Sequence, residues 1–313
     1  MEFSGERYTP EISGAIRLEH IQRYGLSLSI ARNSIVADIA CGEGYGSALL
    51  SSVAKIVSAI DISGEAISHA MARYSGYHNI NFTKASAICT GLQSETHDLV
   101  VSFETIEHLL EQDEMLAEFC RVLKPDGILL ISSPNRPVYS YGKPVNEYHV
   151  KELDFSEFDS LLKKYFSKIK YYGQRLAIGA VIQSLDGQEA LYKASRDDEA
   201  TLSEGAPVLC DPVYYIALCG NGDQDLPDLP ASILYPQKTD LLDYYVGLAK
   251  WAKNQDIEIE KRDEYVAHYR KEIATLTDQR DLIRTEIIRA EAQLELLKEI
   301  FLSNPSQYNN EDL

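Results

Sequence analysis

The chain has 313 residues and is 45% hydrophobic, which suits one sizeable α/β domain with an appendage or two small domains. A formal net charge of -18 speaks against a nucleic-acid backbone as partner and against adsorption to anionic lipid, and it fits an acidic enzyme of neutral or sugar-like substrates. Five cysteines, an odd number with no C-x-x-C, point to reduced thiols rather than a disulfide frame or a zinc site.

Residues 1–10 are too short and polar for an element of their own. No basic-then-apolar leader follows Met1, and no apolar run reaches spanning length, so the expected address is cytoplasmic with no membrane span. An amphipathic helix is expected over 17–24, with Ile16, Leu18, Ile21 and Tyr24 packed on a sheet. Arg7, Tyr8, Arg17, His20, Arg23 and Tyr24 concentrate donors in this short span. Two readings stand: a solvated helix face, or a set from which some, with Tyr8 and Arg23 as candidates, reach the carboxylate of a bound ligand.

Residues 35–46, I-V-A-D-I-A-C-G-E-G-Y-G, organise the rest. An apolar run that stops at Gly42, Gly44 and Gly46 predicts a buried parallel strand ending in a tight turn. Backbone N–H groups in such a turn can approach a ligand closely, and a following helix would aim its N-terminus at the same spot. A second strand over 56–60 ends in Asp61, where a carboxylate would hold a ribose diol. A helix is expected over 64–74, a third strand over 79–83, and then Ala85-Ser86-Ala87.

The fourth strand, 98–103, ends in Glu104-Thr105-Ile106-Glu107-His108. A helix over 112–123 carries Met115, Leu116, Phe119, Val122 and Leu123 on one face, and Lys124-Pro125-Asp126-Gly127 makes a turn. The fifth strand covers 128–132, and a polar segment runs over 133–149. A helix over 151–166 and strands over 169–172 and 213–218 follow, with a polar, acidic insertion of weak helical character over 184–211. Strands alternating with helices predict a doubly wound, Rossmann-like α/β fold with a mostly parallel seven-stranded sheet.

The period changes near the C-terminus. Ile259, Val266, Ile273, Ile287, Leu294 and Phe301 form one seam of a heptad pattern, and Tyr269, Leu276, Ile283, Ala290 and Leu297 form the other. Arg262 and Arg280 interrupt it. Such a helix would span roughly 65 Å, longer than a core of this size needs. The expectation is a C-terminal coiled coil driving a parallel homo-oligomer, dimer or trimer. The expected divisions are a domain over 1–220, a linker over 221–250, the coil over 251–303 and a disordered tail over 304–313.

The loop Asp38 to Gly46, Asp61, Ser86-Ala87, the Phe103-to-His108 segment and Leu123-Lys124-Pro125-Asp126-Gly127 together resemble class I S-adenosylmethionine-dependent methyltransferases. Nicotinamide enzymes favour G-x-G-x-x-G, and here Ser47 stands where its third glycine would fall. The resemblance implies S-adenosyl-L-methionine as cofactor. It implies that Ala40, Cys41, Gly42, Glu43 and Gly44 contact the methionine part, with Asp38 bonding its ammonium or ordering the loop. Asp61 would take the ribose hydroxyls, Ile62 would pack on adenine, and Ser86 and Ala87 would sit at the adenine edge. Many members carry an acid where Ser86 stands. Glu104 would lie beside the sulfonium region.

Transfer to a hydroxyl benefits from a base. His108, just past the fourth strand, is the first candidate, and His149 and Glu107 are the others. A structural role bonded to backbone is the alternative for each histidine. Glu104, Glu107 and His108 could instead hold a divalent metal, although nothing in their spacing compels it and none is assigned.

Gly5-Glu6-Arg7-Tyr8-Thr9-Pro10, Leu18-Glu19-His20 and Ser132-Ser133-Pro134-Asn135-Arg136 are similar to methyltransferases of surface-polysaccharide (O-antigen) biosynthesis. With the coil, the chain resembles their chain-terminating type. That implies O-methylation of a sugar at the non-reducing end of a polysaccharide, with a glycosyltransferase as a partner of the coil. Two alternatives stand beside it: an assembly factor that recruits a glycosyltransferase with little turnover, and a methyltransferase of another small-molecule hydroxyl.

Overall fold

The computed structural model describes residues 15–141, 146–177, 195–197, 202–204, 209, 211–234 and 241–303. The chain divides into two compact units at Leu241. Tyr8 and the 304–313 tail lie outside the described residues.

The first unit is built on one sheet. Its strands are β1 (Ile35–Ile39), β2 (Ile56–Asp61), β3 (Ile80–Lys84), β4 (His97–Ser102), β5 (Leu123–Pro134), β6 (Lys168–Gln174) and β7 (Tyr214–Gly220). They lie in the order β3-β2-β1-β4-β5-β7-β6. Pairing is parallel from β3 to β5, and β7 runs antiparallel to both β5 and β6. Seven strands with one reversed match the expected mostly parallel sheet.

Alternate residues of the central strands feed two cores, as the period of a strand requires. Ala37, Val100 and Leu129 face one side, against Met115, Leu116 and Phe119 of α4 (Gln112–Val122) and Phe158 and Leu162 of α6 (Phe155–Leu162). Val36, Val101 and Leu130 face the other, against Tyr24 of α1 (Ala15–Ala31), Leu50 of α2 (Tyr45–Ser51) and Ile67 of α3 (Gly64–Arg73). A one-turn helix, α5 (Arg136–Tyr139), follows β5. The sheet grows outward in both directions from between β1 and β4, so the crevice at their C-terminal ends is where a doubly wound fold takes a ligand.

Several local expectations need correction. α1 runs to Ala31, and its buried residues are Glu19, Arg23, Tyr24, Ser27 and Ala31, while Ile16 is exposed. A mostly polar face is buried because Arg23 donates to Gln174 and Tyr24 to Asp38, while Ser27 donates back to the Tyr24 carbonyl. β5 begins at Leu123 and includes the expected turn, which survives as a register shift opposite His97 and Leu99. α6 starts late, at Phe155, because Asp154 and Glu157 form a reciprocal capping box there. Within the 184–211 insertion the described segments are strands, Ser195–Asp197 paired antiparallel with Leu202–Glu204, rather than helix.

The second unit is one helix, α7 (Leu241–Ser303), which begins inside the stretch expected to be a linker. Its two expected apolar rows are exposed, among them Ile259, Tyr269, Ile273, Leu276, Ile287 and Leu297. No helix among the described residues is long and apolar enough to cross a membrane. The four described cysteines, Cys41, Cys89, Cys120 and Cys219, are unpaired.

Candidate active site

The turn after β1 takes left-handed backbone at Ala40 (φ 65°), Gly42 (φ 54°) and Gly44 (φ 78°). Two glycines in three such positions relieve most of the steric cost. Asp61, at the tip of β2, accepts from the Gly42 N–H at 2.9 Å and from the Ser63 N–H at 2.8 Å. Its carboxylate therefore faces the loop, at the end of the neighbouring strand. Ile62 beside it is 66% exposed. Ser86 and Ala87 follow β3 in a short bridge with Cys89 and are half-buried.

Asp38 is fully buried under this turn. Tyr24 donates to its Oδ1 at 2.9 Å and Ser47 to its Oδ2 at 2.5 Å. Burial raises its carboxyl to about 6, against the lowering effect of those two hydroxyls, and the nearby charge of Asp61 adds to the rise. Asp38 thus binds α1 and α2 to the turn. Gly46 belongs to the same packing: a Cβ there would collide with the Tyr24 ring. Glu43 is buried too, with its carboxylate 3.2 Å from His69 of α3, so its side chain is turned toward that helix. Cys41 is buried in the core below the loop.

Arg23 is 1% exposed. Its Nη1 donates to Gln174 Oε1 at 2.9 Å and lies 3.2 Å from Glu104 Oε1, and its guanidinium stacks 4.6 Å from the Tyr214 ring centroid. Among the described residues its Nε and Nη2 have no hydrogen-bond partner. Glu104 sits just past β4 in left-handed backbone (φ 50°), with its N–H donating to Ser132 Oγ. Gln174 and Tyr214 were not visible in the sequence as site residues. The one signal for them was the donor cluster on α1, which needed acceptors somewhere.

Beyond Glu104, a one-turn helix Ile106–His108 leaves Glu107 buried and His108 half-buried. Glu107 is fully buried, and neither carboxylate oxygen has a hydrogen-bond partner among the described residues. Burial, with the nearby Glu104 charge, holds its carboxyl well above the usual range. His108 Nδ1 lies 2.9 Å from the Tyr148 carbonyl, and His149 Nδ1 lies 2.6 Å from Glu152 Oε1. The two rings meet edge to face with centroids 5.0 Å apart. The fold thus brings together the three candidate catalytic residues, from two segments separated by β5.

Residues 37–131 match the family model described as a methyltransferase domain. The chain carries a methyltransferase domain. It has the class I fold, and S-adenosylmethionine is its cofactor. Over 129 residues the chain is 38% identical to a protein of Mycobacterium tuberculosis named "Probable S-adenosylmethionine-dependent methyltransferase", covering 41% of this chain and 46% of that one. A similarly named protein of Mycolicibacterium smegmatis is 36% identical over 130 residues, 41% of this chain and 49% of that one. The chain therefore spans about half the length of the curated relatives it matches. A solved Thermotoga maritima methyltransferase aligns with TM-score 0.46 at 18% identity, over 65% of this chain and 89% of that one.

The residues of the methyltransferase domain fit that cofactor. A buried arginine with two unanswered donors suits a carboxylate such as the methionine part carries. Gly44 leaves no room for a side chain, since a Cβ there would come within 2.7 Å of Phe82, and its φ favours glycine. Asp61 offers a carboxylate at the tip of β2, beside the exposed Ile62.

Proposed function

We propose that the methyltransferase domain methylates a hydroxyl of a sugar at the non-reducing end of a surface polysaccharide. Its cofactor supplies a methyl group on a sulfonium, already electrophilic. Asp61 binds the ribose hydroxyls, Ile62 packs on adenine, Ser86 and Ala87 edge it, and Arg23 takes the carboxylate. The backbone at Ala40, Cys41, Gly42, Glu43 and Gly44 lines the methionine part, while Asp38 keeps that turn in shape. Glu104 borders the sulfonium region. Alignment of the acceptor against the methyl contributes a large share of the rate.

The observation that carries this reading is Asp61 held against the Gly42 N–H at the switch point of the sheet. The acceptor class rests on weaker support. The net charge of -18 suits an uncharged acceptor. His108, its Nδ1–H directed at a carbonyl, keeps its lone pair on Nε2, the state a base needs for a hydroxyl proton. His149 and Glu107 flank it.

The exposed apolar rows of α7 support a parallel coil that joins two or three copies and positions a glycosyltransferase. They also favour the second reading, an assembly factor with little turnover. The test pairs calorimetry with S-adenosylhomocysteine and methyl transfer to candidate oligosaccharides. Binding together with transfer that is lost in His108→Ala supports the enzyme. Binding without transfer to any acceptor, and a cellular effect lost only on deleting 259–313, supports the assembly factor. No affinity for the cofactor product refutes both.

A further inference from the structure

Glu107, His108 and His149 bring one ligand atom each to within 4.8 Å of one another. The hydrogen bonds on the far sides of the rings fix what those atoms are. The Tyr148 carbonyl can only accept, so His108 carries its proton on Nδ1 and its lone pair on Nε2. Glu152 is a carboxylate acceptor at 2.6 Å, and it orders His149 in the same way. Glu107 adds two carboxylate oxygens, buried and with no hydrogen-bond partner among the described residues.

Three sets of lone pairs thus converge where Glu107 is buried and the two histidines are half-buried. A carboxylate without a hydrogen bond is costly there, and a bound cation would offset that cost. No hydrogen bond joins Glu107 to either imidazole in this geometry, so the pair does not neutralise itself. Ligand atoms around a first-row divalent ion, at roughly 2.1 Å from it, stand about 3–4 Å apart. A contraction of at most about 1–2 Å would close a spacing of 4.8 Å onto an ion.

We propose that Glu107, His108 and His149 form a binding site for a divalent first-row transition-metal ion, with Glu152 as the outer carboxylate that orients His149. Two imidazoles and a carboxylate favour Mn²⁺ to Zn²⁺ over Ca²⁺, which prefers an all-oxygen shell. The site lies just beyond Glu104, on the edge of the sheet where the acceptor would enter. Ion binding stands apart from the proposed methyl transfer, but its use rests on that reading. There the ion would bind the acceptor hydroxyl and lower its hold on its proton, which would pass to water, with His108 acting as a ligand in place of its role as base.

The experiment uses the full chain stripped with chelator and titrated calorimetrically with Mn²⁺, Co²⁺ and Zn²⁺. Saturable binding of one ion per chain is expected, weakened at least about tenfold in Glu107→Gln and His149→Ala and to a smaller degree in Glu152→Gln. Affinity for S-adenosylhomocysteine, measured on the same samples, reports folding and tests the cofactor reading separately. Should the variants unfold, nitrogen hyperfine coupling to bound Mn²⁺ in the wild type decides: imidazole coupling supports the site, and its absence overturns it. The proposal also fails if none of the three ions saturates at millimolar concentration, or if folded Glu107→Gln binds as the wild type does.

Discussion

Arg23 Nη1 stands 3.2 Å from Glu104 Oε1, which joins the first helix to the tip of the fourth strand. The two ends of the pair are unequal. The Arg23 side chain is fully buried, while Glu104 remains one-fifth exposed. Removing the carboxylate strands a buried cation; removing the cation leaves a carboxylate that water can reach. Glu104→Gln is therefore expected to lower unfolding stability by about 2–3 kcal/mol. The double variant Arg23→Met/Glu104→Gln should recover more than half of that loss, because no buried charge remains. Urea unfolding of the three proteins checks this, and equal losses in the single and double variants would show that the pair is not what holds these elements.

Gly46 and Tyr24 give a second case in which packing governs a residue of the loop motif. Gly46 has ordinary helical backbone at the start of α2, and a methyl group there would strike the Tyr24 ring. Gly46→Ala is expected to cost about 1–3 kcal/mol, as overpacking does. Tyr24→Ala in the same chain should relieve it, so that the double variant is more stable than the sum of the single losses predicts by over about 1 kcal/mol. Affinity for S-adenosylhomocysteine should change little in folded Gly46→Ala. A large loss of affinity at unchanged stability would mean that Gly46 contacts the cofactor after all.

These two cases show what was legible and what was not. The strand, glycine turn and Asp61 are written within a few tens of residues, so their order and spacing carried the sheet and the cofactor crevice. The buried face of α1 was misjudged because its polarity is answered far away: Arg23 meets Gln174, 151 residues on. Hydropathy alone sends such a face to solvent. His108 and His149 were each visible as candidates, but their meeting was not. It depends on the return of the chain after β5, where Val150 and Lys151 donate to the Glu107 carbonyl. The insertion misled for a simpler reason, since short polar strands have no period long enough to read.

Asp38 makes stability depend on pH in a direction opposite to most acids. Its folded carboxyl is raised to about 6 from 3.8, so the folded state holds its proton longer than the unfolded chain does. The stabilisation is complete below pH 3.8 and is lost as pH rises through about 6. For a buried group the size is on the order of 3 kcal/mol across that window. Other acids act in the opposite sense, so the quantity to measure is the difference between wild type and Asp38→Asn. Wild type minus variant stability should fall between pH 4 and pH 7, flattening near neutrality, by denaturant titration at each pH (about 2–3 kcal/mol in all). A constant difference would mean that the carboxyl keeps its ordinary affinity for protons.

The long helix offers a prediction in which a substitution strengthens the assembly. α7 has 63 residues, about 95 Å at the usual rise, and its apolar rows are exposed in the single chain. Arg280 falls in the seam that Ile273 and Ile287 continue on either side, seven residues away in each direction. Among the described residues its guanidinium pairs with the adjacent Asp281, at 2.8 Å and with both side chains exposed, an interaction worth little. In a parallel coil the same position would bring two or three guanidinium groups together at an apolar seam. Arg280→Leu should therefore raise the helix melting temperature of the full chain and tighten self-association in sedimentation. Ile273→Asp should do the reverse and give monomers that still bind S-adenosylhomocysteine. A wild-type chain that stays monomeric at the highest soluble concentration, or an Arg280→Leu chain no more associated than wild type, would refute the coil.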